Sequence, residues 1–419
     1  MQTRKHAWSV GAAVGLEGLS GATQRGLTVA FAASIAVVMG VQMVYPVLPA
    51  LMFQLGVDDS AIGLVIAVYT APAILLAPVF GVLTDRHGRR PMLLTGLLLF
   101  GLAGGLIALA PSFEWVVALR FIQGVGATAL SPLTIVLLSD LLPDERQESA
   151  AQGFKVVLDR VSTMFVPVVA GALAVISWSL PFYLFALSLP LAWLAWRWLP
   201  ETQTRTGTTM AAYLRGYGQI RHHPRLLMAF FAGFLRFFLD YAFFTYLPVY
   251  LALNRGTSPP VIGLILGCFA VGAIITASQT GRIIRLGDPA RLVLVGFVLD
   301  GVSLIAVPFL PFEPLVGLSM LVYGLGNGMV SPLQKSLLTR NAPAGLRVGV
   351  VSLDRLIQQI GKTAAPGLVG LALIMGELGT IFWTLGVLSI VSVAAVARVM
   401  SPARVMPVQP PSPLGRGLG

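Results

Sequence analysis

Gly124-x-Gly126-x4-Ser131-Pro132-Leu133 returns two hundred positions later as Gly324-x-Gly326-x4-Ser331-Pro332-Leu333. Ile62-Gly63-Leu64 likewise returns as Ile262-Gly263-Leu264, and Gly81 as Gly281. Three short matches in one register, each set in apolar runs of similar length, indicate an internal duplication. The chain therefore reads as two copies of one unit.

Composition says what surrounds those units. With 56% hydrophobic and 11% charged residues over 419 positions, and a mean hydropathy of +0.84, the chain cannot cover a water-facing surface with polar groups. Twelve apolar stretches, helices 1 to 12 in order, run at 27–51, 61–81, 92–110, 115–138, 149–174, 179–198, 226–252, 260–281, 291–311, 314–336, 348–374 and 379–399, each about twenty residues or more and long enough for a helix to cross a bilayer. They are continuously apolar, not alternating, which excludes the strands of a membrane barrel. The expected fold is an all-α integral membrane protein of twelve transmembrane helices in two six-helix halves. Its divisions are an N-terminal segment 1–26, a first half 27–198, a linker 199–225 rich in Thr, Gly, Arg and His, a second half 226–400 and a disordered tail 401–419. A duplicated helical bundle with its interface near the membrane midplane is a plan of secondary transporters.

Basic residues favour the cytoplasmic side of short loops. Placing the N-terminus inside puts Arg86, Arg89, Arg90, Arg146, Arg197, Arg282, Arg285, Arg291 and Arg340 in cytoplasmic loops, with Arg255 alone outside. The opposite loops carry Asp58, Asp59, Glu114, Glu313 and Glu377. The reading is a multi-pass protein of the cell inner membrane with both termini cytoplasmic. The net charge of +11 is then a topology signal, and no basic soluble domain exists for a nucleic acid to bind. Residues 1–26 make a poor signal peptide, because Glu17 and several glycines interrupt the stretch after Arg4 and Lys5. Cys268 is the only cysteine, so neither an intramolecular disulfide nor a thiolate metal site is expected. Gly324-x-Gly326-x-Gly328 lacks the preceding strand of a nucleotide loop and suits close helix packing.

The loop after the second stretch reads Gly81-Val82-Leu83-Thr84-Asp85-Arg86-His87-Gly88-Arg89-Arg90. It resembles the signature loop of the major facilitator superfamily, in which a Gly, three residues, Asp-Arg, one residue and Gly-Arg-Arg follow one another. A turn this short needs glycine at Gly88, and Asp85 suits the positive end of a helix. The resemblance implies a cytoplasmic gate of Gly81, Asp85, Arg86, Gly88, Arg89 and Arg90, with Asp85 engaging the start of helix 11 near Val348 and Gly349 when the gate is shut. The second copy, Gly281-Arg282-Ile283-Ile284-Arg285, puts an arginine where Asp85 stood, so its lock is weaker or absent.

Arg120-Phe121-Ile122-Gln123-Gly124-Val125-Gly126 on helix 4 is similar to a second signature, that of the twelve-span drug:proton antiporters. An intramembrane arginine is costly unless it meets a partner or a cavity, and the resemblance implies a role for Arg120 in proton coupling, with Gln123, Gly124 and Gly126 completing the motif. The exporter signature on helix 5 survives only as Val166-Pro167-Val168-Val169-Ala170-Gly171.

Leu158-Asp159-Arg160 on helix 5 recurs as Leu353-Asp354-Arg355 on helix 11, followed by Pro167 and Pro366. Lys155 lies four residues before Asp159, at ion-pairing spacing on a helix. Arg355, Gln359 and Lys362 make a polar stripe on helix 11. These charges either line the cavity or neutralise one another between helices. Helix 7 carries Arg236 and Asp240 one turn apart, with Tyr241 beside them, and the resemblance sets it across the cavity from Gln42 and Tyr45 of helix 1. A carboxylate at Asp240 is pulled both ways, because loss of water favours its neutral form and Arg236 its charged form. Asp240 is therefore the leading proton-coupling carboxylate, Arg120 supports it, Asp159 and Asp354 are reserves, and Asp300 is a secondary candidate. Gln42, Tyr45, Arg236, Tyr241, Arg355, Gln359 and Lys362 form the expected substrate cavity.

The function these residues imply is proton-coupled export of small amphipathic molecules. An importer or symporter of a polar or anionic nutrient is the alternative, and a non-transporting membrane sensor a more distant one. No enzyme is expected. The driving force is the proton gradient, with no cofactor and no metal, since no phosphate-binding loop exists. The expected partners are a small-molecule substrate, protons and the lipid bilayer, with the chain acting as a monomer. Basic groups outnumber acids within the spans, so an anionic or zwitterionic substrate is expected.

Overall fold

The computed structural model describes residues 19–200, 223–342 and 347–400. The tail 401–419, most of the N-terminal segment 1–26 and most of the linker 199–225 lie outside the described residues. Those residues form twelve long helical segments. They are α1 (Gly21–Leu55), α2 (Asp59–His87), α3 (Arg89–Leu109), α4 (Phe113–Leu141), α5 (Glu145–Ile176), α6 (Leu180–Trp198), α7 (Pro224–Arg255), α8 (Pro259–Ser278), α9 (Pro289–Phe309), α10 (Glu313–Asn341), α11 (Arg347–Leu373) and α12 (Leu378–Met400). Ten of them are long and apolar enough to cross a membrane. The other two are α11, whose Asp354, Arg355, Gln358, Gln359 and Lys362 lower its hydropathy, and α12, whose apolar stretch Leu378–Ala394 is shorter.

Segment ends follow local chemistry. Ser20 caps α1 through the backbone N–H of Thr23, and Asp144 caps α5 through those of Arg146 and Gln147. Pro46 and Pro49 coincide with a tightening of α1 to one 3-10 turn at Tyr45–Val47. Gly56 and Gly256, again two hundred residues apart, end α1 and α7 at φ 64°, a left-handed conformation that costs glycine little. Gly88 sits at φ 89° between α2 and α3, so this turn needs its glycine.

The duplication is visible as packing. A Cβ on Gly124 would overlap the carbonyl of Tyr69, and one on Gly324 would overlap that of Phe269. Gly126 lies against the Gly96 carbonyl as Gly326 lies against that of Gly296, at 2.7 and 2.6 Å from a built Cβ. The repeated glycines thus bring α4 against α2 and α3, and α10 against α8 and α9, at backbone contact.

The halves meet through α2 with α11, α5 with α8, and α1 with α7. Here too the register holds. A Cβ on Gly63 would overlap the Tyr246 hydroxyl and lie 2.6 Å from the Pro366 carbonyl, while one on Gly263 would overlap the Pro167 carbonyl. Gly370 is closed against Ser60 and Gly171 against Pro259 in the same way. All four contacts lie toward the face of the acidic turns, Asp58 and Glu377 among them. At the opposite face, which carries the Arg86–Arg90 turn, a Cβ on Gly81, Gly153, Gly281 or Gly349 would meet nothing within 4 Å. Among the described residues the bundle is joined at its acidic face and parted at its basic face.

Candidate functional site

The best-partnered intramembrane carboxylate is Asp240 of α7. Tyr323 donates its hydroxyl to Oδ1 at 2.8 Å, and the Asn327 amide donates to Oδ1 and Oδ2 at 2.7 and 2.9 Å, both from α10. Arg236, one turn earlier, holds Nη1 3.8 Å from Oδ2 and donates to the Asn327 side-chain oxygen at 3.4 Å. All four side chains are buried. The Arg236 guanidinium also lies 3.9 Å from the centroid of the Phe237 ring, and Lys362 of α11 lies 4.5 Å from it, so one aromatic ring meets two cations.

Tyr323 and Asn327 were missed by sequence reasoning. Asn327 stands between Gly326 and Gly328, and these glycines set the rotation of α10 that aims it at α7. A lone asparagine in an apolar helix was the available signal.

In the two-hundred-residue register the counterpart of Asp240 is Gly40, and a different cluster forms there. Arg120 of α4 is fully buried and donates to three acceptors: the Gly40 carbonyl of α1 at 2.9 Å, the Val65 carbonyl of α2 at 3.1 Å and the Gln123 side-chain oxygen at 2.8 Å. Its guanidinium lies 4.1 Å from the Tyr69 ring centroid. Nε and Nη1 of Arg120 thus meet two backbone carbonyls and Gln123 while Nη2 is buried without a hydrogen-bond partner, no carboxylate lies within 4.0 Å among the described residues, and the side chain does not snorkel to an interface. Tyr45 and Tyr241 stand within the electrostatic reach of both Arg120 and Asp240, linking the two halves' clusters.

The repeated Asp-Arg pairs occupy matching places. Asp159 accepts from Ser34 of α1 at 2.5 Å and from Lys155 at 2.8 Å. Asp354 accepts from Gln334 of α10 at 2.9 Å and from Gln358 at 2.6 Å. Each aspartate bonds within its own half, and neither forms an ion pair with the arginine that follows it. The expected stripe on α11 divides among three surroundings. Arg355 is exposed, Gln359 donates to the Thr70 carbonyl of α2 at 3.0 Å, and Lys362 rests on the α7 aromatics. Gln42 is half-buried, and its side-chain oxygen is buried without a partner.

In the Arg86–Arg90 turn, Arg89 pairs with Asp140 at the end of α4, and Arg90 donates to the Trp196 carbonyl of α6. Asp85 lies in the field of Arg89. At the start of α11, where the contact of Asp85 is expected, Val348 lies outside the described side chains, and a Cβ on Gly349 would meet nothing within 4 Å.

Arg236 lies at the centre of a set of mutually felt cations. Arg160, Lys335 and Lys362 each feel Arg236, Lys335 feels Arg160, and Arg355 acts on both lysines. Asp159, Asp240 and Asp354 are the acids in reach, and Asp159 is already matched by Lys155. Positive charge therefore dominates where the halves face each other.

The family model of the Major Facilitator Superfamily matches residues 30–366. The chain is 28% identical over 309 residues to the multidrug transporter MdfA of Edwardsiella piscicida, covering 70% of this chain and 73% of that one. It is 31% identical over 154 residues to the bacillibactin exporter of Bacillus subtilis, covering 35% and 38% of the two chains. Among solved structures, a point mutant of the nucleoside transporter NupG superposes with a TM-score of 0.79 at 12% identity, over 90% of this chain and all of the other. That likeness is one of fold.

Proposed function

The chain belongs to the Major Facilitator Superfamily and is a multi-pass membrane transporter, and on that premise we propose that it exports small amphipathic molecules in exchange for protons by alternating access. The observation that carries this reading is the Asp240 cluster. A carboxylate enclosed by Tyr323, Asn327 and Arg236, on a helix between the halves, exchanges a proton when the cavity changes sides or when a substrate displaces Arg236. Relatives named for multidrug transport and export support the outward direction. The basic face is cytoplasmic in this reading, both termini with it, and the membrane is the inner one.

The substrate class follows from charge. Arg236 and Lys362 lie by the Phe237 ring, Lys362 also by the Tyr241 ring, and burying a cation without a partner is costly. An amphiphile with a carboxylate or phosphate relieves that cost, while its apolar part lies on the aromatics. The test is uptake into inside-out vesicles of matched cationic, neutral and anionic amphiphiles, with and without an imposed proton gradient. Gradient-dependent uptake that favours the anionic probe, and loses this preference in Arg236→Gln or Lys362→Gln, is expected. Uptake without any gradient dependence rejects exchange with protons, and cation preference unchanged in both variants rejects the substrate class.

The gate adds a second expectation. In the state closed at the basic face Asp85 engages the start of α11, where a charge-assisted hydrogen bond contributes about 1.5–3 kcal/mol. Asp85→Asn is expected to insert normally and to slow transport by roughly ten- to a hundredfold, as the closed state loses that contact. Arg86→Gln alone should do less. A well-expressed Asp85→Asn protein with the normal transport rate rejects the gate.

A further inference from the structure

Asp300 lies near the middle of α9 and takes no part in the cluster described above. It is fully buried, and neither of its carboxylate oxygens has a hydrogen-bond partner. The Ser303 hydroxyl one turn later is also buried and unpartnered. Across from them runs the glycine face of α10, and a Cβ on Gly326 would overlap Asp300 Oδ1. The carboxyl group occupies the space that the missing side chain leaves.

The surroundings decide what satisfies this group. An ionised carboxylate away from water and without a partner is too costly, and such groups are neutralised instead. A calcium or magnesium ion would need six or more oxygen ligands, no group of three potential metal-binding side chains exists among the described residues, and a water needs room of its own. Gly326 at backbone contact supplies neither. Only a proton fits.

The groups that face Asp300 are few. From α10, Tyr323 lies in the field of both Asp300 and Asp240 and donates its hydroxyl to Asp240. From α7, Asp240 and Arg236 act on Asp300 across α10. From α12, the nearby polar group is Ser389, which is already bonded to the Phe297 carbonyl of α9, and no titratable residue precedes Arg398.

We propose that Asp300 is a second proton-binding site of this transporter, distinct from Asp240 and linked to it through Tyr323. In the arrangement open at the basic face the proton is held between α9 and α10. It leaves when those helices part, because only then does water reach the carboxyl. The site's existence does not depend on the export reading; its use in the transport cycle rests on proton coupling.

Infrared spectroscopy of the purified transporter in lipid, titrated from acid to alkaline pH, tests this. A neutral-carboxyl band is expected to persist at neutral pH, to vanish in Asp300→Asn and to remain in Asp240→Asn. Gly326→Ala, whose new methyl group must displace the carboxyl, should shift the same band. It provides the assignment if Asp300→Asn fails to insert. A pH-indicator dye should count one proton fewer, released on alkalinisation, from Asp300→Asn than from wild type. A spectrum unchanged in Asp300→Asn, or a band unmoved in Gly326→Ala, overturns the assignment. If the band behaves as expected but Asp240→Asn transports normally, the proton site stands and the Asp240 reading falls.

Discussion

Asp240→Asn is expected to abolish uphill transport while leaving a protein that inserts and binds its probe. Asparagine keeps the shape of the side chain and one oxygen for Tyr323 and Asn327, but it cannot release a proton. It also leaves Arg236 as a buried cation without its counter-charge. Breaking one side of such a pair costs about 3–5 kcal/mol, because the remaining charge is uncompensated. The single variant should therefore unfold at a lower temperature than wild type, and Asp240→Asn with Arg236→Gln should recover much of that loss without recovering accumulation. In inside-out vesicles, the anionic amphiphile preferred by wild type should reach only the level that passive equilibration gives, whatever the imposed gradient. If Asp240→Asn still concentrates the probe, coupling lies elsewhere, and Asp159, held by Ser34 and Lys155, is the next group to replace.

The fold was legible because membrane helices are written in long, uninterrupted apolar runs, and because the two halves repeat their glycines in one register. Arg236 and Asp240 were legible for a related reason. One helical turn separates them, so spacing alone places them side by side. What spacing cannot give is the direction a helix faces once packed. Tyr323 and Asn327 reach Asp240 only because Gly324 and Gly328 press α10 onto α8 and turn the intervening residues toward α7. Arg120 donates to carbonyls of α1 and α2, which no pattern within α4 announces. The stripe on α11 was correct as helical geometry, but it divides because α11 meets α2 at Gln359 and the α7 aromatics at Lys362. Pairing between halves belongs to the tertiary level, and so does the placing of Asp300 beside a glycine of the next helix.

That level also yields a conformational prediction. Gly63 and Gly263 close the acidic face, each against a carbonyl at a proline of the other half, Pro366 and Pro167. Carbonyls fixed in a helix cannot move aside as a flexible side chain can, so one added methyl group at either position strains the arrangement open at the basic face. Overpacking of this kind costs about 1–3 kcal/mol. In the alternate arrangement the acidic face opens, the contact is absent, and the methyl group costs nothing. Helix propensity favours alanine by roughly 1 kcal/mol in either state, so it cancels between them. The substitution therefore acts on the equilibrium alone and should move it by about 5- to 150-fold toward opening at the acidic face. In a Cys268→Ser background, spin labels at Asp58 and Glu377, both exposed in turns of that face, report the change. Their separation should lengthen in Gly263→Ala, lengthen similarly in Gly63→Ala, and lengthen most in the double variant. A control at Gly367, where a Cβ meets nothing within 4 Å, should leave the distance unchanged. Should Gly63→Ala and Gly263→Ala both keep the wild-type separation, the glycine-to-carbonyl contacts do not hold the acidic face closed, and the repeated Ile-Gly-Leu motif needs another explanation.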